Sequence, residues 1–382
     1  MKVSLITPVD IKHSYSATEV QVYDYAKMLM ERGIEASILV PKYKGLEFPS
    51  RTDYKLIKNH YKNVTQKSIK GRKIILPFKF TLYVYSDLTS DSTIYFAYSI
   101  YDHLINIIKK PKGQKYIIGA HSMHLKNGHI LEGHNIIESF FNFLIKSFVF
   151  SNKEIAKNVY HHVINKAEKK YLLKLGIREE NIFYVPTFLK TKDYHLSKNQ
   201  SSKLKILHMG GANKGAGIVL QIIDKAIKTN KLDLFEFYFV GQKMPGELYQ
   251  YAKKYKNIHI EKGIKEDKKE DLLSRMDVMI VPSVETFSRS MLEGLASGLY
   301  ICSSNKNPAA LEIKAMGAKI YVIRNNNIYK YLEVLAKMIN EKRLIEKFES
   351  GRRINREIAV RKFDEKIILP QILNMFIKTV ED

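Results

Sequence analysis

The chain has 382 residues, 45% hydrophobic and 27% charged, and at ~150 residues per domain it should fold as two domains or at most three. That composition excludes collagen-like and wholly disordered chains, and the lone Cys302 excludes an intrachain disulfide or a Cys-rich metal site. Sixty-three Lys and Arg against 39 Asp and Glu give a net charge of +24, which fits phosphate-rich partners or anionic membrane surfaces, and equally a solvated lysine-rich surface.

The chain opens with Lys2–Thr7, a β-branched and apolar run closed by Pro8, which predicts a strand. Ser16-Ala17-Thr18-Glu19 then matches a capping box, with Ser16 as N-cap and Glu19 reaching back to its amide. Val22, Ala26, Leu29 and Met30 recur at helical spacing, and Gly33 stops the helix. Glu35–Val40 predicts a second strand, ended by Pro41. Strand, helix and strand within ~40 residues predict a right-handed parallel crossover.

Residues 42–79 follow with eleven basic side chains against Glu47 and Asp53, a local excess of nine, interleaved with Phe48, Tyr54, Leu56, Ile57 and Tyr61. Such a segment suits an anionic membrane surface or a phosphate-rich partner. Lys115–Ala120 predicts a strand whose carboxyl end delivers His121 and His124. Phe140–Lys146 is the longest apolar stretch nearby, but Asn142 and Lys146 break it, so no spanning helix of ~20 apolar residues is expected. The first residues lack the apolar run of a signal peptide, and the cytoplasm is the expected location. His161-His162 is expected to cap or decorate a helix, and the polar stretch Pro186–Ser202 to be a linker.

The same grammar restarts at Leu204–Met209, a predicted strand followed by Gly210-Gly211-Ala212-Asn213-Lys214-Gly215. A helix carries Val219, Ile222, Ile223, Ala226 and Ile227 on one face, and Phe235–Val240 is the next strand, ended by Gly241. A helix near Gly246–Lys254, a strand at Asn257–Glu261, a short helix at Glu270–Met276 and a buried strand at Asp277–Val281 continue the alternation. The last residues carry helical periodicity in Ile367, Ile368, Ile372, Leu373, Phe376 and Ile377. The expected architecture is therefore α/β, with two Rossmann-like, doubly wound domains facing each other across a cleft. The domains are expected at residues 1–190 and 203–355, with a helix at about 360–382 packing back on the first.

Chemistry concentrates after the last of these strands. Glu285 falls on the turn and Glu293 about two turns into the next helix, so both carboxylates can face the same mouth. A carboxylate accepts paired hydroxyls such as those of a ribose or a hexose, and the helix start at Ser288–Ser290 suits an anion. On spacing alone, an N-terminal helix acid and a solvated surface glutamate are the favoured reading of the two residues.

Pro282-Ser283-x-x-Glu285-x-Phe287, followed by Leu292-Glu293-x-Leu295-Ala296-x-Gly298, resembles the Glu-x7-Glu signature of family 4 retaining glycosyltransferases, which have the GT-B fold. Gly210–Gly215 resembles that family's glycine-lysine loop, Phe239-Val240-Gly241 its next strand end, Ile260–Gly263 with Asp277–Ser283 the run before the signature, and Tyr184-Val185-Pro186 the close of its first domain. The resemblance implies a nucleotide-sugar donor, with Glu285 holding donor-sugar hydroxyls and Glu293 the ribose. It further implies that Lys214 neutralises the leaving diphosphate, that Gly215 lets the backbone approach it, and that backbone amides at Phe287 and Ser288 complete the anion cradle, with Gly210, Gly211, Gly241, Arg289 and Leu292 also donor-binding. Taken alone, Gly210-Gly211 could equally be a tight turn and Lys214 a surface lysine. His121, after its strand, would lie near the reacting carbon. The catalytic set is thus His121, Lys214 and Glu285.

The sequence departs from the family where Gly211 replaces the usual Arg of a diphosphate clamp, for which Arg289 is a candidate substitute, and where Tyr15-Ser16-Ala17-Thr18 replaces a Gly-Gly pair. The spacing of His121, His124, His129 and His134 could also suggest a metal, but only Glu132 and Glu138 are nearby, there is no Asp-x-Asp, and no metal or cofactor is expected. The expected function is retaining transfer from a nucleotide sugar to a glycan or lipid-linked acceptor, with peripheral contact between residues 42–79 and the cytoplasmic face of a membrane. A nucleic-acid-binding or nucleic-acid-glycosylating protein is the first alternative; the absence of a recognisable binding motif and the spread of charge through both halves argue against it. A non-catalytic GT-B scaffold, suggested by the missing Arg and Gly-Gly, is the second.

Overall fold

The computed structural model describes residues 1–7, 17–43, 58–59, 61–76, 80–86, 92–97, 114–119, 125–126, 129–130, 158–174, 176–196, 201–241, 244–264, 266–283 and 288–381. The chain divides into two compact units. Met1–His124, His129–Pro186 and Leu369–Asp382 form the first, and Leu125–Gly128 with Thr187–Ile368 the second. Among the described residues no helix is long and apolar enough to cross a membrane.

The first unit holds β1 (Lys2–Ile6), α1 (Ala17–Glu31), β2 (Glu35–Tyr43), β3 (Thr65–Leu76), β4 (Phe80–Ser86), β5 (Ile94–Ala97), β6 (Lys115–Gly119), β7 (Val159–Val163), α2 (Lys166–Lys174) and β8 (Ile182–Tyr184). Its sheet runs β8-β7-β6-β5-β1-β2-β3-β4 and is parallel except for the antiparallel last pair. Val3 and Leu5 of β1 and Val22, Ala26 and Leu29 of α1 are all fully buried, as the helical spacing requires. Gly33 follows the helix with φ +73, the left-handed turn that lets the chain reverse into β2.

Two expectations for this unit are corrected. Pro41 does not end β2, which runs on to Tyr43. Beyond Leu39 the strand has left its partner β1 and, among the described residues, pairs only with β3, Pro41 lying opposite Ile69, so a residue without an amide hydrogen breaks no described ladder on the other side. His161 and His162 cap no helix. They lie inside β7, 2% and 0% exposed, and burial lowers their pKa values to about 3 and about 4, leaving neutral imidazoles; His162 Nε2 lies 2.8 Å from the Val185 carbonyl oxygen. The capping serine, Ser16, lies outside the described residues.

The second unit holds β9 (Leu204–Met209), α3 (Ala216–Lys228), β10 (Phe235–Val240), α4 (Gly246–Lys254), β11 (Ile258–Glu261), α5 (Glu266–Ser274), β12 (Val278–Val281), α6 (Arg289–Ala296), β13 (Tyr300–Ser304), α7 (Pro308–Ala315), β14 (Ile320–Ile323), α8 (Ile328–Arg343) and α9 (Ile345–Phe363). Its six strands are all parallel in the order β11-β10-β9-β12-β13-β14. Counted within the unit this is 3-2-1-4-5-6, the doubly wound order whose direction reverses between β9 and β12. Two apolar layers sandwich the sheet, one led by Val219, Ile222, Ile223, Leu335 and Met338, the other by Leu272, Met276, Met291, Leu295 and Ile313.

Part of the stretch expected as a linker is built into this unit. Leu189 and Tyr194 are 1% and 4% exposed, and Leu189 exchanges backbone hydrogen bonds with Phe363 and Glu365. The last helix, α10 (Glu365–Glu381), crosses the division, and Leu369 onward belongs with the first unit, where Phe376 packs edge-on against Phe96 with ring centroids 5.8 Å apart. Ile368, Ile372 and Phe376 are buried, whereas Ile367 and Ile377 stay exposed, so the apolar set is split between two faces.

Candidate functional site

In a doubly wound sheet, ligands bind beyond the carboxyl ends of the strands where the order reverses. In the second unit that place is set by the loop after β9 and the turn after β12. The first begins at Gly210 (φ +132), runs through a single 3-10 turn at Ala212–Lys214 and ends at Gly215 (φ +90), which leads into α3.

Two of its glycines are required by close approach as well as by backbone shape. A Cβ on Gly210 would lie 2.5 Å from Cβ of Lys214, because the lysine stem folds over that glycine. A Cβ on Gly215 would lie 2.6 Å from Cγ of Pro282, the residue that closes β12. Gly215 therefore presses the loop directly onto the second one. Gly241, at the end of β10, packs against the backbone of Gly210. Gly211 has φ −83 and ψ −161, an extended geometry open to any residue, so backbone shape does not dictate a glycine at this position.

The second loop is pinned at its root. Asn326 Nδ2 donates to the Pro282 carbonyl at 3.1 Å and Asn307 Nδ2 to the Ser283 carbonyl at 3.4 Å. At its far end Ser288 is the N-cap of α6, with its Oγ accepting from the Met291 amide. The amides of the first turn after this cap carry the positive end of the helix dipole.

Glu293 lies one turn into α6, 2% exposed. Its Oε1 accepts from Lys269 Nζ at 2.8 Å and from Arg289 Nε at 3.3 Å, and the Tyr194 side chain hydrogen-bonds to the same carboxylate. Burial alone would raise its pKa. Lys269 and Arg289 beside it, with the hydrogen bonds, more than offset that and hold it below the usual carboxylate range. It is a buried, ionised acceptor.

Of the residues singled out from sequence, Gly210, Gly211, Lys214, Gly215 and Gly241 come together in one packed loop cluster, and Ser288, Arg289, Leu292 and Glu293 share α6 and its cap. Glu285, Phe287 and His121 lie outside the described residues, as do His124 and His134. Lys269 and Tyr194 are partners that sequence reading missed. The short helix expected at Glu270–Met276 in fact spans Glu266–Ser274, which moves Lys269 inside it. Leu272, Leu273 and Met276 mark the inward face, and a lysine three or four residues before the leucines falls on that face. A cation there requires a buried anion, and that was the available signal.

The sequence model of the family described as Glycosyl transferases group 1 matches residues 203–341, most of the second unit. No curated protein matches the chain by sequence. Among solved structures, HepE of Anabaena in complex with UDP and glucose is similar at a TM-score of 0.69 and 13% identity, covering 98% of this chain and 99% of its own. A glycosyltransferase from Rickettsia africae ESF-5 is similar at 0.70 and 15%, covering 100% and 99%, and sucrose-phosphate synthase from Thermosynechococcus elongatus at 0.70 and 11%, covering 98% of each chain. Residues 203–341 therefore match the Glycosyl transferases group 1 model, in a chain that has the fold of solved GT-B glycosyltransferases.

Proposed function

We propose that this chain is a retaining glycosyltransferase that moves a sugar from a nucleoside-diphosphate donor to a glycan or lipid-linked acceptor. The observation that carries the reading is the reversal point of the second sheet. There Gly215 packs onto Pro282, so the glycine-lysine loop and the root of the Glu285 turn are fixed against each other. A similar fold binds UDP and glucose in the Anabaena protein.

When the glycosidic bond to the diphosphate breaks, negative charge grows on the leaving oxygens and positive character on the anomeric carbon. In this reading Lys214, the amides at the start of α6 and Arg289 stabilise the leaving group electrostatically. Glu293 is the acceptor for ribose hydroxyls. Glu285 takes the hydroxyls of the donor sugar and His121 orients that sugar, the roles the family resemblance assigns them. Attack from the face that the diphosphate leaves, with the departing phosphate taking the acceptor proton, retains the anomeric configuration, and no step in this scheme calls on a metal ion.

On the acceptor side, a lipid-linked molecule at a membrane fits the basic segment 42–79. Lys42, Lys58, Lys62 and Lys67 are exposed, and the β2–β3 register sets Lys42 opposite Lys70. The enzymatic reading is tested with a panel of nucleotide sugars, scoring donor hydrolysis and transfer. One donor should be consumed, and Lys214→Ala should slow its turnover by about 10²–10³-fold, the loss typical of removing one charge-stabilising group. If no donor is consumed, or if Lys214→Ala and Glu285→Ala both keep the wild-type rate, the reading is wrong.

A further inference from the structure

A carboxylate offers about four acceptor sites. Three donors already converge on Glu293, from Lys269, Arg289 and Tyr194. A ribose presents two neighbouring hydroxyls, so a carboxylate with three sites filled cannot take both. One donor has to leave.

The geometry singles out which one. Lys269 reaches Oε1 at 2.8 Å from a different helix, and its side chain is 10% exposed. Arg289 reaches the same oxygen at 3.3 Å, and its side chain is 25% exposed. It also stands at the first position of α6, four residues before its acid. A cation at a helix N-terminus opposes the dipole, and a basic residue preceding an acid at this spacing is the weaker orientation.

We propose that the two cations part company when a nucleotide binds: Lys269 is a positioning residue that stays and holds Glu293, whereas Arg289 leaves Oε1 for the diphosphate and so frees the lone pair that a ribose hydroxyl takes. Arg289 thereby couples the two ends of the nucleotide. This rests on the nucleotide-sugar reading of the site.

The test is calorimetric titration of the full chain with UDP and uridine, and with the adenine and guanine pairs, since the base is unidentified. In Arg289→Gln, diphosphate affinity should fall by about tenfold or more while nucleoside affinity is unchanged or about threefold tighter, because no ion pair has to be broken. Lys269→Met should weaken both ligands by a similar factor, and Lys269→Arg should restore most of the loss. In the wild type, saturating inorganic pyrophosphate should tighten nucleoside binding, and Arg289→Gln should abolish that coupling. Equal weakening of nucleoside and diphosphate in Arg289→Gln, or no effect on either, overturns the exchange. So does the absence of pyrophosphate coupling in the wild type, a measurement that needs no variant to fold. If no nucleoside diphosphate binds the wild type at all, the nucleotide-sugar reading itself fails and the exchange falls with it.

Discussion

Gly215 does two things that no other residue type can do together. Its φ of +90 turns the chain from the 3-10 turn into α3, and its bare Cα lets Pro282 come within contact. Gly215→Ala should therefore combine backbone strain with overpacking against a ring that cannot rotate away. The expected cost is about 1–3 kcal/mol, read as a lower midpoint in denaturant unfolding, together with weaker diphosphate binding because the loop no longer seats on β12. Wild-type stability and affinity in that variant would mean the two loops are not held by this contact. Gly217, just inside α3, has open space within 4 Å of where a Cβ would sit, and an alanine there is the natural control.

At the scale of elements, the second unit is tied together beneath the sheet by a buried charge cluster. Asp277, which precedes β12, is fully buried. Its carboxylate accepts from the Lys205 amide at 2.9 Å, from Lys342 Nζ of α8 at 2.7 Å and from Arg352 of α9. Burial lowers the Lys342 pKa more than Asp277 raises it. Removing one member strands the others in a dry interior, so Asp277→Ala should cost about 3–5 kcal/mol, measured by denaturant unfolding; a loss under about 1 kcal/mol would show the cluster to be hydrated. This cluster was not legible in the sequence, because Lys342 and Arg352 lie 65 and 75 residues from Asp277 and each reads alone as a surface cation. The strands and helices of the second unit were legible, because runs such as Phe235–Val240 and Val278–Val281 are short and end at Gly or Pro, the first alternating buried and half-buried residues over Phe235–Phe239 and the second buried throughout. In the first unit β3 and β4 escaped notice. Thr65–Leu76 carries a basic residue at 67, 70, 72 and 73, which erases the apolar pattern, and such a sequence suits strands at the margin of a sheet, where β4 lies outermost. Of the site, the glycines and Glu293 could be read from motif and order. The partners of Glu293 could not, since Lys269 sits on another helix and Tyr194 in a stretch whose polar composition resembles a linker.

For the molecule as a whole, a charge of +24 sets long-range behaviour more than local structure. If the exposed lysines at 42, 58, 62 and 67 meet a membrane, the chain should co-sediment with vesicles containing phosphatidylglycerol at low salt and be released as salt shortens the Debye length from ~30 Å at 0.01 M to ~3 Å at 1 M. Replacing those four lysines with glutamine should remove the sedimentation while nucleoside diphosphate affinity, which the proposed function assigns to the second unit, is kept. No sedimentation of the wild type on anionic vesicles at low salt removes the membrane contact and leaves the donor chemistry untouched.

Residues 369–382 complete the first unit after the whole second unit has been written into the chain. On a ribosome the opening sheet would thus emerge well before the helix that packs on Phe96, leaving the side of Phe96 that Phe376 covers exposed until the chain is nearly finished. A fragment stopping at Pro186 would keep that exposure permanently, and a holding chaperone is the kind of companion such a nascent chain calls for.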